Sequence, residues 1–151
     1  MPKAIETLIY EISLRVRLYM ASKAVSQRAA DLTERESLIL ELIGMNNNMS
    51  ISAIAKLYPT VSNSTISTTI TRLWKDHKLV DKNILPENQR MTVVSLTKEG
   101  QKRLEQIKKS QAVIYKTVAE SLGLSPDENN YFRVFLENAI QFFDRKLGLK
   151  R

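Results

Sequence analysis

The chain has 151 residues, none of them cysteine, with 43% hydrophobic and 26% charged side chains. That composition is globular and the length is enough for one domain with a real core, while the missing thiols exclude disulfides, thiol switches, cysteine nucleophiles and Cys-based metal centres. Lys and Arg outnumber Asp and Glu by 23 to 16, for a net charge of +7, which suggests a polyanionic partner, nucleic acid before membrane, with a merely basic surface as the plain alternative.

The opening residues carry Glu6 and Glu11 and hold no uninterrupted apolar core, unlike a signal peptide. No run reaches the ~18 apolar residues of a spanning helix, so the expected location is cytoplasmic. Residues 4 to 29 place Ile5, Ile9, Ile12, Val16 and Tyr19 on one helical stripe, with Leu8, Met20 and Val25 beside it. A helix of about 25 residues is longer than the ~11–12 of a typical globular helix. It exceeds what one small core needs, so a second subunit is the economical partner. The bases Lys3, Arg15, Arg17, Lys23 and Arg28 would also suit a membrane surface, but Glu6, Glu11 and the lack of a Trp anchor weaken that reading.

Thr33 followed by Glu36 predicts a capping box that opens a second helix. Its buried stripe is Leu38, Ile39, Leu42 and Ile43, and Gly44 with Asn46-Asn47-Asn48 is expected to stop it. Ser50 predicts the cap of a short third helix containing Ile51, Ile54, Ala55 and Leu57, which ends before Pro59. After the turn Tyr58 to Val61, Ser62 caps a further helix running to Lys75.

That helix has the most telling composition. Ile66, Ile70, Leu73 and Trp74 make one apolar stripe. At roughly 100° per residue, Ser64, Thr68, Thr71 and Lys75 gather opposite it with Arg72 beside them. This face has hydroxyls and cations but no carboxylate. Helices chosen for solubility mix Glu with Lys, and Ser and Thr are middling helix formers. Small hydroxyl side chains flanked by cations suit a helix pressed against phosphates and base edges; the plain alternative is a surface helix rich in Ser and Thr. Short helix, turn, second helix is the helix-turn-helix pattern.

Residues 79 to 84 and 91 to 96 then alternate as two β-strands around the polar loop Leu85 to Arg90. A hairpin placed there is a wing, and Arg90 on its loop could enter a minor groove. Thr97 caps another long helix with Leu104, Ile107, Ile114, Val118 and Leu122 as its seam, ended by Gly123. Ser125-Pro126-Asp127-Glu128 is a strong helix start. The last helix carries a wide apolar face of Phe132, Phe135, Leu136, Ala139, Phe142, Phe143 and Leu147, fit for a core or subunit interface. The expected fold is mainly α with a small β-hairpin wing: one domain over 1–151, a winged helix-turn-helix lobe at 31–97, and long helices at 1–30 and 98–151.

This arrangement resembles the MarR family of bacterial and archaeal transcription regulators. The matching pieces are L-T-E-R-E (32–36), I-A-K-L (54–57), S-N-S-T-I-S-T-T-I-T-R-L (62–73), L-V (79–80), N-Q-R (88–90) and V-S-L-T-K-E-G (94–100). The resemblance implies a homodimer on a pseudo-palindromic site of double-stranded DNA. The helix from Ser62 would lie in the major groove and Arg90 in the minor groove, with dimer contacts from the first and last helices. A small-molecule pocket commonly lies between the lobe and those helices. Three departures stand out: Asn88 where the family usually has Asp, Lys78 where it usually has Gly, and a turn at Tyr58 to Val61 about one residue longer than usual.

The DNA-contacting set is read as Ser64, Thr68 and Thr71 for the groove and Arg72, Lys75 and Lys82 for phosphates. Ser62, Asn63 and Thr65 belong to the helix N-terminus, and Arg90 to the wing. Tyr10, Tyr19, Met20 and Trp74 could line a pocket for a small aromatic or amphipathic ligand, though helical spacing also fits them to the core. No cofactor or metal is expected. His77 is the only histidine, beside Lys75, Asp76 and Lys78, and a lone histidine is ordinarily structural or solvated. Phosphate-loop, G-x-S-x-G and H-E-x-x-H motifs are absent, so the chain is not read as an enzyme. The rival readings are a winged-helix interaction scaffold and a protein that coats DNA without reading it.

Overall fold

The computed structural model describes residues 1–23 and 31–149. The elements run α1 (Ile5–Ser22), α2 (Glu34–Asn46), β1 (Asn48–Ser50), α3 (Ile51–Lys56), α4 (Asn63–Lys75), β2 (Val80–Leu85), β3 (Asn88–Leu96), α5 (Lys98–Ser121) and α6 (Pro126–Leu147). Helix starts are set by the hydroxyl caps that the sequence offers. Thr33, Ser50, Ser62, Thr97 and Ser125 each accept a backbone N–H three residues on, which satisfies an otherwise orphan donor. At α6 the box is complete, with Glu128 returning to the Ser125 amide. At α2 it is half formed, because the Glu36 side chain turns to α4 instead.

The core lies under the helix-turn-helix. Ile39, Leu40 and Ile43 of α2, Ile54 of α3, and Ile66, Ile70 and Leu73 of α4 are fully buried with Val80 and Val94 of the sheet. Burying one such side chain contributes about 1.5–3 kcal/mol. The sheet order is β1-β3-β2, antiparallel throughout, and Met49 opposite Val94 ties β1 to the central strand.

Several expectations are corrected. The described part of the first helix ends at Ser22, capped by Lys23; the stretch expected to carry it to residue 29, with Val25 and Arg28, lies outside the described residues. Its apolar stripe is exposed at Ile5, Ile9 and Ile12 and half-buried at Val16 and Tyr19. In α2 the buried set is Glu36, Ile39, Leu40 and Ile43, while Leu38 is exposed. Gly44 does not stop α2. It gives way to Leu104 of α5, whose Cδ2 would lie 2.2 Å from an added Cβ, and the helix continues to Asn46, ending as Asn47 turns to φ 64°. Strand β1 was not expected at all. Leu122 is exposed, whereas Leu104, Ile107 and Ile114 form the buried seam of α5.

Candidate nucleic-acid interface

Helix α4 stands as a ridge between two open clefts. One, of about 750 Å³, lies against the first turn of α2 and is lined by Glu34, Arg35, Tyr58, Thr65, Thr68 and Arg72 among others. The other, of about 620 Å³, lies toward the wing and is lined by Lys56, Asn63, Ser67, Asn88 and Arg90 among others. In the first cleft the Tyr58 hydroxyl is buried with no hydrogen-bond partner among the described residues, and burial pushes its pKa up. The ridge buries Ile66, Ile70 and Leu73 and has no acidic residue in its first turn, with Arg72 and Lys75 in its last.

The hydroxyls of α4 are largely engaged within the helix. Ser62 Oγ accepts the Thr65 amide at 3.1 Å and lies 2.7 Å from Thr65 Oγ1. Thr68 and Thr69 donate to the carbonyls of Ser64 and Thr65 at 2.8 and 2.9 Å. With its proton so committed, exposed Thr68 offers a partner an acceptor oxygen and a methyl group, which is the chemistry that meets a thymine methyl in the major groove.

The cations are placed unequally. Thr71 is half-buried and accepts a hydrogen bond from Lys82 Nζ at 3.1 Å, so the first wing strand is pinned to α4. Lys82 and Lys75 flank the Trp74 ring, 5.0 and 5.3 Å from its centroid. Cation–π contact of this kind holds charge in place at modest cost. Trp74 is 37% exposed, so it serves this basic cluster and not the core stripe expected of it. Arg72 is 52% exposed, with one guanidinium nitrogen 3.6 Å from the buried Glu36 carboxylate.

The wing differs in detail from its prediction. The strands nearly meet, leaving Pro86 and Glu87 as the turn between Leu85 and Asn88. Ile84 pairs with Thr92 but Leu85 pairs with Asn88, so the intervening β3 residues bulge, and Arg90 sits in that bulge and not on the loop tip. Such bulges bend a strand and re-aim its side chains. Asn88 Oδ1 accepts the Arg90 amide at 3.1 Å, a neutral tie to the backbone.

Residues 32–100 match the family described as winged helix DNA-binding domain. Among curated proteins no sequence matches. Solved structures do match along most of the chain. Wild-type MarR of E. coli in its apo form superposes with a TM-score of 0.68 at 16% identity, covering 92% of this chain and 98% of that one. A mutant MepR from a multidrug-resistant S. aureus clinical isolate gives 0.69 at 17% identity, covering 95% and 99%. Bordetella bronchiseptica BpsR, whose DNA binding is regulated by 6-hydroxynicotinic acid, gives 0.58 at 19% identity, covering 87% and 98%.

The chain has the MarR fold.

Within that MarR fold, the positions marked as departures have visible consequences. Lys78 takes φ 56°, the left-handed conformation that glycine adopts freely. Its carbonyl accepts the Thr97 hydroxyl at 2.9 Å, which fixes the strained residue between α4 and α5. Ser62, Asn63, Ser64, Thr65, Thr68, Arg72 and Lys75 are all exposed along the α4 ridge, and Arg90 faces solvent on β3. Tyr10 is exposed on α1, and Tyr19 and Met20 are half-buried near its end; the four principal clefts among the described residues are lined by other side chains. Among those residues no group of His, Asp or Glu is placed to hold a metal, and no helix is long and apolar enough to cross a membrane.

Sequence reasoning missed the partnership of Glu36 with His77 and Arg72. A capping-box reading consumed Glu36, and nothing in the spacing of residues 36 and 77 signals that they meet. Lys56 and Ser67 were also missed, because the cleft that gathers them exists only once the wing folds back toward α4.

Proposed function

We propose that the chain is a transcriptional regulator that reads a pseudo-palindromic duplex site as a homodimer, more a repressor than an activator, and without enzymatic activity. The observation that carries this is the α4 ridge: exposed, hydroxyl-bearing, cationic, free of acid in its first turn, and set inside a winged helix DNA-binding domain. In this reading residues 31–97 are the DNA-binding lobe. Ser64, Thr68 and Thr71 face the groove, while Arg72, Lys75 and Lys82 meet phosphates. Ser62, Asn63 and Thr65 set the helix N-terminus on the backbone, and Arg90 enters the minor groove.

Residues 1–30 and 98–151 form the dimer region. Support comes from α6, which buries none of its residues and leaves Phe135, Phe142 and Phe143 exposed, an apolar face too large for a lone soluble chain. A small aromatic or amphipathic ligand near Tyr10, Tyr19, Met20 and Trp74 would release the DNA, by analogy with BpsR, whose DNA binding is regulated by 6-hydroxynicotinic acid.

Footprinting on sites selected from random DNA tests the proposal. Two protected half-sites one helical turn apart are expected. With ~4 phosphates neutralised per subunit, log K should fall against log salt with a slope near −7. Protection without a preferred sequence would favour the DNA-coating alternative, and no binding at low salt the interaction scaffold.

A further inference from the structure

We propose that Glu36 is a carboxylate shared between Arg72 and His77, so that protonating His77 frees Arg72 for a DNA phosphate and makes duplex binding proton-linked. This rests on the DNA-binding reading above. Glu36 is 1% exposed, one of its oxygens lying 3.6 Å from Arg72 Nη2 and the other 3.1 Å from His77 Nε2. The histidine side chain is itself 17% exposed. Among the described residues neither Glu36 Oε2 nor His77 Nε2 has a hydrogen-bond partner in good alignment, so the pair is close but not locked.

A buried carboxylate is tolerated only when a cation or donors compensate it. With the imidazole neutral, Arg72 carries the ion pair, and a phosphate that draws Arg72 outward leaves Glu36 uncompensated. With the imidazole charged, His77 holds Glu36 and Arg72 can turn to the backbone of the duplex. The two cations thus compete for one anion, and the DNA-bound state is the one that retains the proton on His77.

Other charged groups also lie near His77 in space or in the chain. Asp31, at the entry to α2, interacts electrostatically with it and is itself bonded to Arg103 of α5. Asp76 and Lys78 flank it in the chain, and Lys75 lies on the preceding turn. His77 is also the only histidine in the sequence. Since H77Q removes the chain's only imidazole, the part of any pH slope that the variant loses is the part owed to His77.

Duplex affinity measured by fluorescence anisotropy at constant ionic strength tests the coupling. Between about pH 8 and pH 6 the wild type should tighten on the order of 5- to 100-fold, while H77Q and R72A should give flat profiles. A second measurement needs no DNA: the imidazole titration followed by NMR in the free protein. R72A removes the competing cation from an exposed position, so the midpoint should rise. A slope in H77Q equal to the wild-type slope, or a midpoint unmoved by R72A, overturns the shared carboxylate. Failure of the wild type to bind any duplex at any pH overturns the DNA reading, whereas a raised midpoint in R72A supports the shared carboxylate independently of it.

Discussion

The carbonyl oxygen of Leu79 lies 2.0 Å from where a Cβ on Gly100 would stand. The same carbonyl accepts the Thr97 amide at 3.1 Å, so the root of the wing is held against the first turn of α5 by backbone on both sides. A backbone oxygen cannot rotate aside as a side chain can. Gly100→Ala should therefore cost about 3 kcal/mol, read as a lowered urea midpoint. Gly44→Ala should cost less, because its added methyl meets side chains and no backbone, the end of Leu104 most closely and Leu96 at 3.4 Å. The opposite ranking would show that the wing root moves freely.

At Lys78 the left-handed backbone gives a test of opposite sign. A non-glycine residue there bears a strain of roughly 1–2 kcal/mol, partly offset by the greater unfolded-state freedom that glycine brings. Lys78→Gly should stabilise the chain by about 1 kcal/mol or less, and Lys78→Ala should not. Thermal unfolding of the two variants separates backbone relief from loss of the charge.

Acid sensitivity should trace to Asp31. The Arg103 guanidinium bonded to it holds its carboxyl below the usual value, against the weaker opposing pull of desolvation. A lowered folded pKa contributes stability that is present above the unfolded value of about 4 and is lost as pH falls through the folded one. Arg103→Met should therefore lower the unfolding midpoint at neutral pH and converge on the wild type near pH 2, the convergence being the decisive observation. The side chain of Asp31 is more than half exposed, so the difference should shrink in high salt.

The unpartnered face of α6 predicts the oligomeric state. Phe143→Asp places a charge on that face next to Phe142, whose ring meets Phe143 edge-on at 5.6 Å. Sedimentation equilibrium should show a dimer for the wild type and a monomer for the variant. Near-UV signals of Trp74 and the lobe should persist, since none of the lobe core lies on α6. A variant that stays dimeric would move the interface elsewhere.

What the residues disclosed in advance, and what they hid, divides along a physical line. Local chemistry was legible: the hydroxyl caps at Ser50, Ser62, Thr97 and Ser125, the stripe Ile66-Ile70-Leu73, and the order of helices and hairpin all follow from near neighbours in the chain. Contacts between distant segments were not. Gly44 reads as a helix stop until Leu104 is seen filling its space. Glu36 reads as a capping partner until His77 stands beside it. Asn48 reads as the end of a polar stop and Ser50 as a helix cap, because a three-residue strand acquires its identity only from the β3 edge it pairs with. The site followed the same rule: the exposure of Ser64 and Thr68 was foreseeable from helical phase, whereas the bond from Lys82 to Thr71 needed the wing in place.

That short strand has a mechanical consequence. Ser50 is both the last residue of β1 and the cap of α3, and β1 is bonded to β3. Helix-turn-helix and wing root are therefore joined through Ser50 with no intervening residue, and Lys82 bonded to Thr71 ties them a second time through α4 and β2. In the proposed role, helix and wing would approach a duplex as one unit. In the proposed DNA-binding role, a groove of the wrong width would have to be met by moving helix and wing together, which would make groove width part of what the protein reads.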